Sequence, residues 1–285
     1  MIVFTMRYMV TFMAVLEKMY SALTSCRQGN GADDGAMNLD VAVAFYVGSL
    51  EGGDSGGSYD GSLIYMLAKR MCIHFKTCTS SNNAMINEYI VSRFYTGQGE
   101  VETGVSTTLL ARVSLSFFQV LALIDVSTQS CDSLERTIHE IENALVVPLI
   151  QGTLFSAREN ELHFKRRTFK EFYPEGYVLT QSILPIVNDV DQFAATELKN
   201  VMVAKFPSQG DDESSNNSAK VYSAIKMAVS KIQGIDCTQI GSIGGSGLCP
   251  GDDGTYNAFN SASESAAFSV TVLSLPFALL MLAFV

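Results

Sequence analysis

The stretch Asn38 to Gly52, NLDVAVAFYVGSLEG, carries three side chains with usable chemistry: Asp40, Tyr46 and Glu51. Two carboxylates and a phenol are hard oxygen donors, the type that suits a hard cation. They surround and interrupt an apolar run, Val41 to Val47. The stretch is too long for an ordinary strand. Asn38 is placed to cap a helix and Asp40 to favour its positive end. The prediction is therefore a central helix, apolar almost all round and so buried. On one such helix Asp40 and Glu51 lie about 16 Å apart along the axis. A single ion with bonds of about 2 Å cannot join them. Glu51 and Tyr46 are the better-placed pair, with remaining ligands supplied by other helices.

No other constellation points to catalysis, and the chain is not read as an enzyme. Gly53 to Gly57 spell GDSGG, the surroundings of a serine-protease nucleophile, which would nominate Ser55. That mechanism also needs a histidine base and an aspartate on a β-barrel. All three histidines (His74, His139, His163) follow Ser55, the reverse of that order, and no barrel pattern exists. A Gly/Asp/Ser loop between helices accounts for the residues. The histidines share no metal-ligand spacing, and no phosphate-binding glycine loop or dinucleotide fingerprint is present.

The elements that must position any site read as helices. Ile64, Leu67, Ala68, Met71, Cys72 and Phe75 recur at helical spacing. Residues 84–95 form another helix, with Ile86, Tyr89, Ile90 and Phe94 inward. Asp132 to Val147 is striped by Leu134, Ile138, Ile141 and Leu145, and Pro148 is expected to kink or restart the chain. Glu159 to Phe172 gives a basic-faced helix stopped by Pro174. Glu175 to Phe206 is a long helical run bent at Pro185. Val221, Ile225, Ala228 and Ile232 mark the last helix, which Gly234 can end. Residues 105–126 are apolar but interrupted by Arg112, Gln119 and Asp125, with no clear period. The fold class is mainly α, a helical bundle. A weak echo between Val43–Leu50 and Val147–Leu154 would, if real, imply two related helical halves.

A net charge of −10 over 285 residues leaves no basic stripe to neutralise phosphates, which argues against a nucleic-acid partner. Six cysteines without a CxxC fit up to three disulfides with the pairing left open. Residues 1–37 read as a helix and loop, either a poor signal peptide or the first helix of a domain. Residues 38–240 form the helical domain, and 241–265 a Gly/Ser-rich stalk. Residues 266–285 are uncharged and apolar. They suit a GPI-attachment signal, preceded by small residues Asn260 to Ser263, or else a transmembrane helix. Either would anchor the protein to a membrane with its bulk outside the cell. Asn216-Asn217-Ser218 is a glycosylation acceptor pattern.

Four motifs, in order, resemble the Fe-assimilating family, the low-iron-inducible periplasmic proteins of green algae related to diatom phytotransferrins. They are L-D-x-A-V-A-F-Y-x-G-S-L-E-G at Leu39 to Gly52, C-x-x-F-x-T-C at Cys72 to Cys78, V-V-P-L-I-Q-G-T-L at Val146 to Leu154, and I-L-P-I-V at Ile183 to Val187. The resemblance implies a periplasmic or cell-surface protein that captures ferric iron for uptake, with carbonate as synergistic anion. It implies binding rather than catalysis. Carboxylate and phenolate oxygens suit ferric iron, so the metal-ligand candidates are Tyr46, Glu51, Asp40, Tyr65 and Tyr177, with Tyr89, Glu142 and Glu175 as further donors. Val41 stands where the family often has Glu, and Phe155 and Ser156 depart after G-T-L. Those departures motivate the alternative, a structural or adhesive surface module that kept the fold and lost the ligands.

Overall fold

The computed structural model describes residues 2–28, 30–49, 61, 63–101, 131–165, 173–204, 217–243 and 246–248. Among these the chain is almost wholly helical, as the stripes predict. The elements run α1 (Ile2–Phe4), a π-helical stretch Thr5–Val10, α2 (Thr11–Arg27), a π-helical stretch Gly31–Gly35 and α3 (Ala36–Val47). Then come α4 (Leu63–Phe75), α5 (Met85–Val101), α6 (Cys131–Lys165) and α7 (Tyr173–Val190). The chain closes with α8 (Gln192–Leu198), a π-helical stretch Lys199–Ala204, α9 (Asn217–Val229), α10 (Cys237–Ile240) and a minimal ladder of β1 (Ser242–Ile243) with β2 (Ser246–Gly247).

The axis of the bundle is α6, against which α2, α4, α5, α7, α9 and α10 all pack. Its predicted stripe, Leu134, Ile138, Ile141 and Leu145, is fully buried. Beyond it the burial becomes all-round, with Leu145 to Ile150 and Gln151 to Leu154 out of solvent on every face. Pro148 falls in this part, and the helix runs straight through it. A proline inside a helix costs about 3 kcal/mol, but here the apolar side chains around it gain more by staying in one buried rod than by separating. The expected restart at Pro148 therefore does not occur. Pro174 lies in the first turn of α7, where its missing N–H would have been unpaired anyway, and residues 166–172, the end of the expected basic-faced helix, lie outside the described residues.

The long run after Glu175 breaks at Asp191, not at Pro185, which stays inside α7. Asp191 is extended (φ −155°, ψ 95°), and its carboxylate accepts from the Ala194 N–H at 3.0 Å and from Lys231 Nζ at 2.6 Å. It caps α8 and ties it to the end of α9. Those hydrogen bonds hold its carboxyl below the usual range.

The central helix of the opening stretch, α3, starts two residues earlier than its expected cap. Asn38 is inside it, donating from Nδ2 to the Asp34 carbonyl at 2.8 Å. The helix ends at Val47, where Gly48 takes φ 76° and ψ −165°, a region essentially restricted to glycine. α3 thus ends before Glu51, which lies outside the described residues, as do 105–126. The echo between the two halves also differs locally. Gly48 ends a helix, whereas Gly152 sits inside α6, where a Cβ would come within 2.7 Å of Leu179 Cδ1.

Disulfides join Cys26 to Cys131, tying the end of α2 to the start of α6, and Cys72 to Cys78, closing the turn after α4. Cys237 is also disulfide-bonded. The Cys26–Cys131 bridge spans 105 residues, a closure that stabilises by about 4–5 kcal/mol on chain-entropy grounds. The N-terminal helix is thereby part of the one core, with Phe12, Val15 and Met19 buried in it.

The packed part also continues past residue 240, into what composition assigns to a stalk. Ile240, Ile243 and Leu248 are buried, and Asp236 and Gln239 form a capping box on α10. Gly241 makes this docking possible. It takes φ 74° and ψ −157°, and a Cβ there would overlap the Phe75 carbonyl and stand 2.5 Å from Thr77 Cγ2. Gly241→Ala is expected to destabilise the fold by about 3 kcal/mol, read as a lower urea midpoint. An unchanged midpoint would show that the C-terminal segment is not docked at the end of α4.

Candidate functional site

Of the predicted donors of the opening stretch, the two described ones, Asp40 and Tyr46, do not converge, and Glu51 lies outside the described residues. Tyr46 is fully buried, and its hydroxyl donates to Asn87 Oδ1 at 2.5 Å. Asn87 Nδ2 in turn donates to the Tyr65 carbonyl at 3.0 Å. The Tyr46 ring meets Tyr65 edge-on at 5.9 Å and lies 6.3 Å from Phe94. Burial, and then the Tyr65 phenol, push its ionisation far above the ordinary range. A phenol so placed is a core anchor that satisfies a buried amide, not an open metal ligand.

Asp40, about 9 Å from Tyr46 along the axis of α3, accepts from Gln98 Nε2 at 3.2 Å. Burial raises its carboxyl, against the pull of that hydrogen bond. Among the described candidates, Tyr65 is thus the predicted partner the fold brings to Tyr46. Tyr177 packs against the core from α7. Tyr89 lies under the Arg93 guanidinium at 5.0 Å. Glu142 accepts from Tyr20 at 2.8 Å and sits 3.3 Å from His139 Nδ1. Among the described residues no three His, Cys, Asp or Glu side chains form a group able to hold a metal ion.

A different cluster forms at the entry to α7. Glu175, in the first turn, accepts from the Tyr8 hydroxyl at 3.0 Å and pairs with the Arg70 guanidinium. Three separate elements supply it: the first π-helical stretch, α4 and α7. Tyr8 is buried, the Glu175 side chain nearly so, and Arg70 reaches solvent with 43% of its side chain exposed. Each element is held closely. Thr11 Oγ1 bonds the Arg7 and Tyr8 carbonyls at 2.5 and 3.3 Å, which supports the widened turn carrying Tyr8. At Gly176 a Cβ would stand 2.8 Å from Ser156 Cβ and 3.0 Å from Met202 Cε. Met202 belongs to another π-helical stretch, so two of them pack against α7. Such turns recur at functional sites.

The electrostatics match the geometry. Burial raises the Tyr8 phenol and the neighbouring Glu175 carboxylate raises it further, while Arg70 and Arg7 oppose the shift. Burial, the largest influence, would lower Arg70, but the Glu175 and Tyr8 charges and hydrogen bonds together outweigh it and raise the guanidinium. One turn along α4, the His74 ring lies 4.4 Å from Phe155. Burial lowers its ionisation, with Glu159 opposing and Arg158 and Arg70 reinforcing. Chemically the cluster offers two oxygen donors 3.0 Å apart beside a partly exposed cation.

Only Glu175 of this cluster is among the sequence candidates. Tyr8 lies in an apolar run that reads equally as a leader, and Arg70 reads as the polar edge of an amphipathic stripe. Neither carries a local signal, because the cluster is made by contacts 105 and 167 residues apart.

Arg70→Ala leaves a nearly buried carboxylate with a phenol as its remaining described partner. The expected loss is about 2 kcal/mol in denaturant unfolding, partly recovered by Arg70→Lys. A loss under about 0.5 kcal/mol would mark the pair as an ordinary solvated ion pair. No family model, no curated protein and no solved structure matches the chain.

Proposed function

We propose that this protein captures ferric iron at the cell surface for uptake, with carbonate as the accompanying anion. The observation that carries the reading is the α7 entry, where the Tyr8 and Glu175 oxygens meet beside Arg70. Phenolate and carboxylate are hard donors matched to ferric iron. Arg70, whose side chain is partly exposed, is the group to face a planar oxyanion, which a guanidinium can bind through two parallel N–H bonds. The motif resemblance points the same way, although its residues do other work. Leu39, Ala42, Tyr46, Cys72, Phe75, Leu149, Ile150, Leu154, Ile183 and Val187 are all buried. These motifs carry the fold, and the Tyr8 and Glu175 donors, buried themselves, meet solvent by way of Arg70.

One observation favours the alternative, a non-metal-binding surface module. Arg70 already neutralises Glu175 in this structure. Iron titration with carbonate present separates the two. Ferric binding should produce a phenolate-to-iron absorption band that is lost in Tyr8→Phe and kept in Tyr46→Phe. No band in the native chain would leave the structural module as the reading. Loss in Tyr46→Phe alone would return the site to the opening stretch.

The placement outside the cell rests on the disulfides, which persist in oxidising compartments, and on the uncharged segment Ala266 to Val285. No described helix is long and apolar enough to cross a membrane, and that segment lies outside the described residues. We read it as a GPI signal, with the acceptor pattern at Asn216 suited to the same exterior setting. A phosphatidylinositol-specific phospholipase should release the protein from membranes. Retention in the pellet would point to a spanning helix instead.

A further inference from the structure

The N-terminal helix is apolar on two faces, and the fold uses one. Tyr8, Phe12, Val15 and Met19 turn inward and are buried. Val3, Met6, Met9, Val10 and Met13 turn outward, with 39 to 63% of each residue exposed. Five of the eleven exposed large hydrophobics among the described residues therefore fall within eleven positions of one helix. Contiguous apolar surface of this kind marks an interaction site.

The charges around the stripe indicate what covers it. The chain carries −10 overall, yet its first sixteen residues hold a single charged side chain, Arg7, and no carboxylate before Glu17. Arg7 is exposed beside the buried Tyr8, and Arg70 pairs with the Glu175 carboxylate that Tyr8 bonds, so both arginines lie at this end of the molecule. The Glu175 carboxylate nearby is turned inward and paired. An apolar stripe that carries the exposed Arg7 and no carboxylate, in an otherwise acidic protein, matches the boundary between acyl chains and phosphate headgroups.

A second copy of the chain fits less well. The stripe offers on the order of 500 Å², short of the roughly 800 Å² per partner that a stable dimer buries. Binding of so small a stripe to lipid is weak alone, but a tether changes that. Residues 249–265, at about 3.3 Å each, reach up to about 60 Å and join the body to the uncharged tail. A C-terminus held in a bilayer, by a GPI group attached near Asn260 to Ser263 or by the tail itself, keeps the stripe at high effective concentration beside the headgroups.

We infer that the outward face of Val3 to Met13 lies on the phospholipid surface, laying the body of the protein against the membrane with the α7 entry near the headgroups. The inference rests on the membrane-anchored reading of the C-terminal tail.

The chain has no tryptophan, so Met13→Trp introduces a lone reporter at an exposed position. Full-length protein would be mixed with phosphatidylcholine–phosphatidylserine vesicles and followed by both sedimentation and emission. The expected result is co-sedimentation, a blue shift of the tryptophan at position 13 and quenching by brominated lipid. The same reporter placed by Ile73→Trp, on the outer face of α4, should stay unshifted. Co-sedimentation with unshifted emission at position 13 would overturn the inference while leaving the anchor intact. Failure to sediment would overturn the anchor and this inference with it. A blue shift that rises with protein concentration without vesicles would assign the stripe to a second copy and overturn the lipid assignment. Met6→Trp repeats the test should the first variant misfold, with circular dichroism as the check.

Discussion

The close contact between α6 and α7 is the constraint on which the rest of this structure depends. A helix buried on every side can be reached only by neighbours that approach its backbone, and small residues decide where. Gly152 admits Leu179, and Gly176 admits Ser156 and Met202, at separations no larger side chain would allow. Thr153, Thr180 and Ser182, polar but buried, spend their hydroxyls on carbonyls one turn earlier in their own helices, which removes them from the interface as unpaired groups. With α7 held this tightly, its first turn is fixed as well. Glu175 is directed at Tyr8 and Arg70 because its neighbour in sequence, Gly176, is pinned against α6.

The same close packing explains where the buried polar groups go. Gln151 is nearly inaccessible, yet its Nε2 donates to the Ile240 carbonyl at 2.8 Å and to Thr77 Oγ1 at 3.3 Å. One side chain of α6 thus holds both the turn closed by Cys72–Cys78 and the short helix α10. Glu161, farther along α6 and also buried, accepts from the Ser218 N–H at 3.2 Å and from its hydroxyl. A carboxylate at the first turn of α9 is favoured by the helix dipole. The central helix therefore organises the bundle by apolar contact through its middle and by hydrogen bonds to the ends of its neighbours.

How far this could be read from the chain follows from the range of each interaction. The stripes of α4, α6 and α9 were legible because periodicity is local, and their residues are buried as the spacing requires. The prolines misled because their effect depends on surroundings that spacing does not show. Pro148 is retained by a buried rod and Pro174 stands where no donor is missed, while the real break came from the Asp191 carboxylate. Asp40 and Tyr46 were chosen for their chemical type, and the structure gives each a neutral partner: Gln98 for one, Asn87 for the other. Tyr8 and Arg70 could not be found from spacing, since what makes them a pair is a third residue far along the chain.

That contrast bears on how a resemblance should be weighed. Motifs dense in apolar residues are the ones a chain can match through packing alone, because a core tolerates few changes in volume. Tyr46 shows the consequence: a phenol in the most family-like stretch is fully buried and serves Asn87. A cargo site needs donors that reach solvent, so it belongs where the packing ends. Under the proposed reading that place is the start of α7, where a carboxylate fixed by the core meets an arginine that is only half enclosed. The fold supplies the rigidity, and of the three groups Arg70 is the one with substantial exposed surface, while Glu175 and Tyr8 lie behind it.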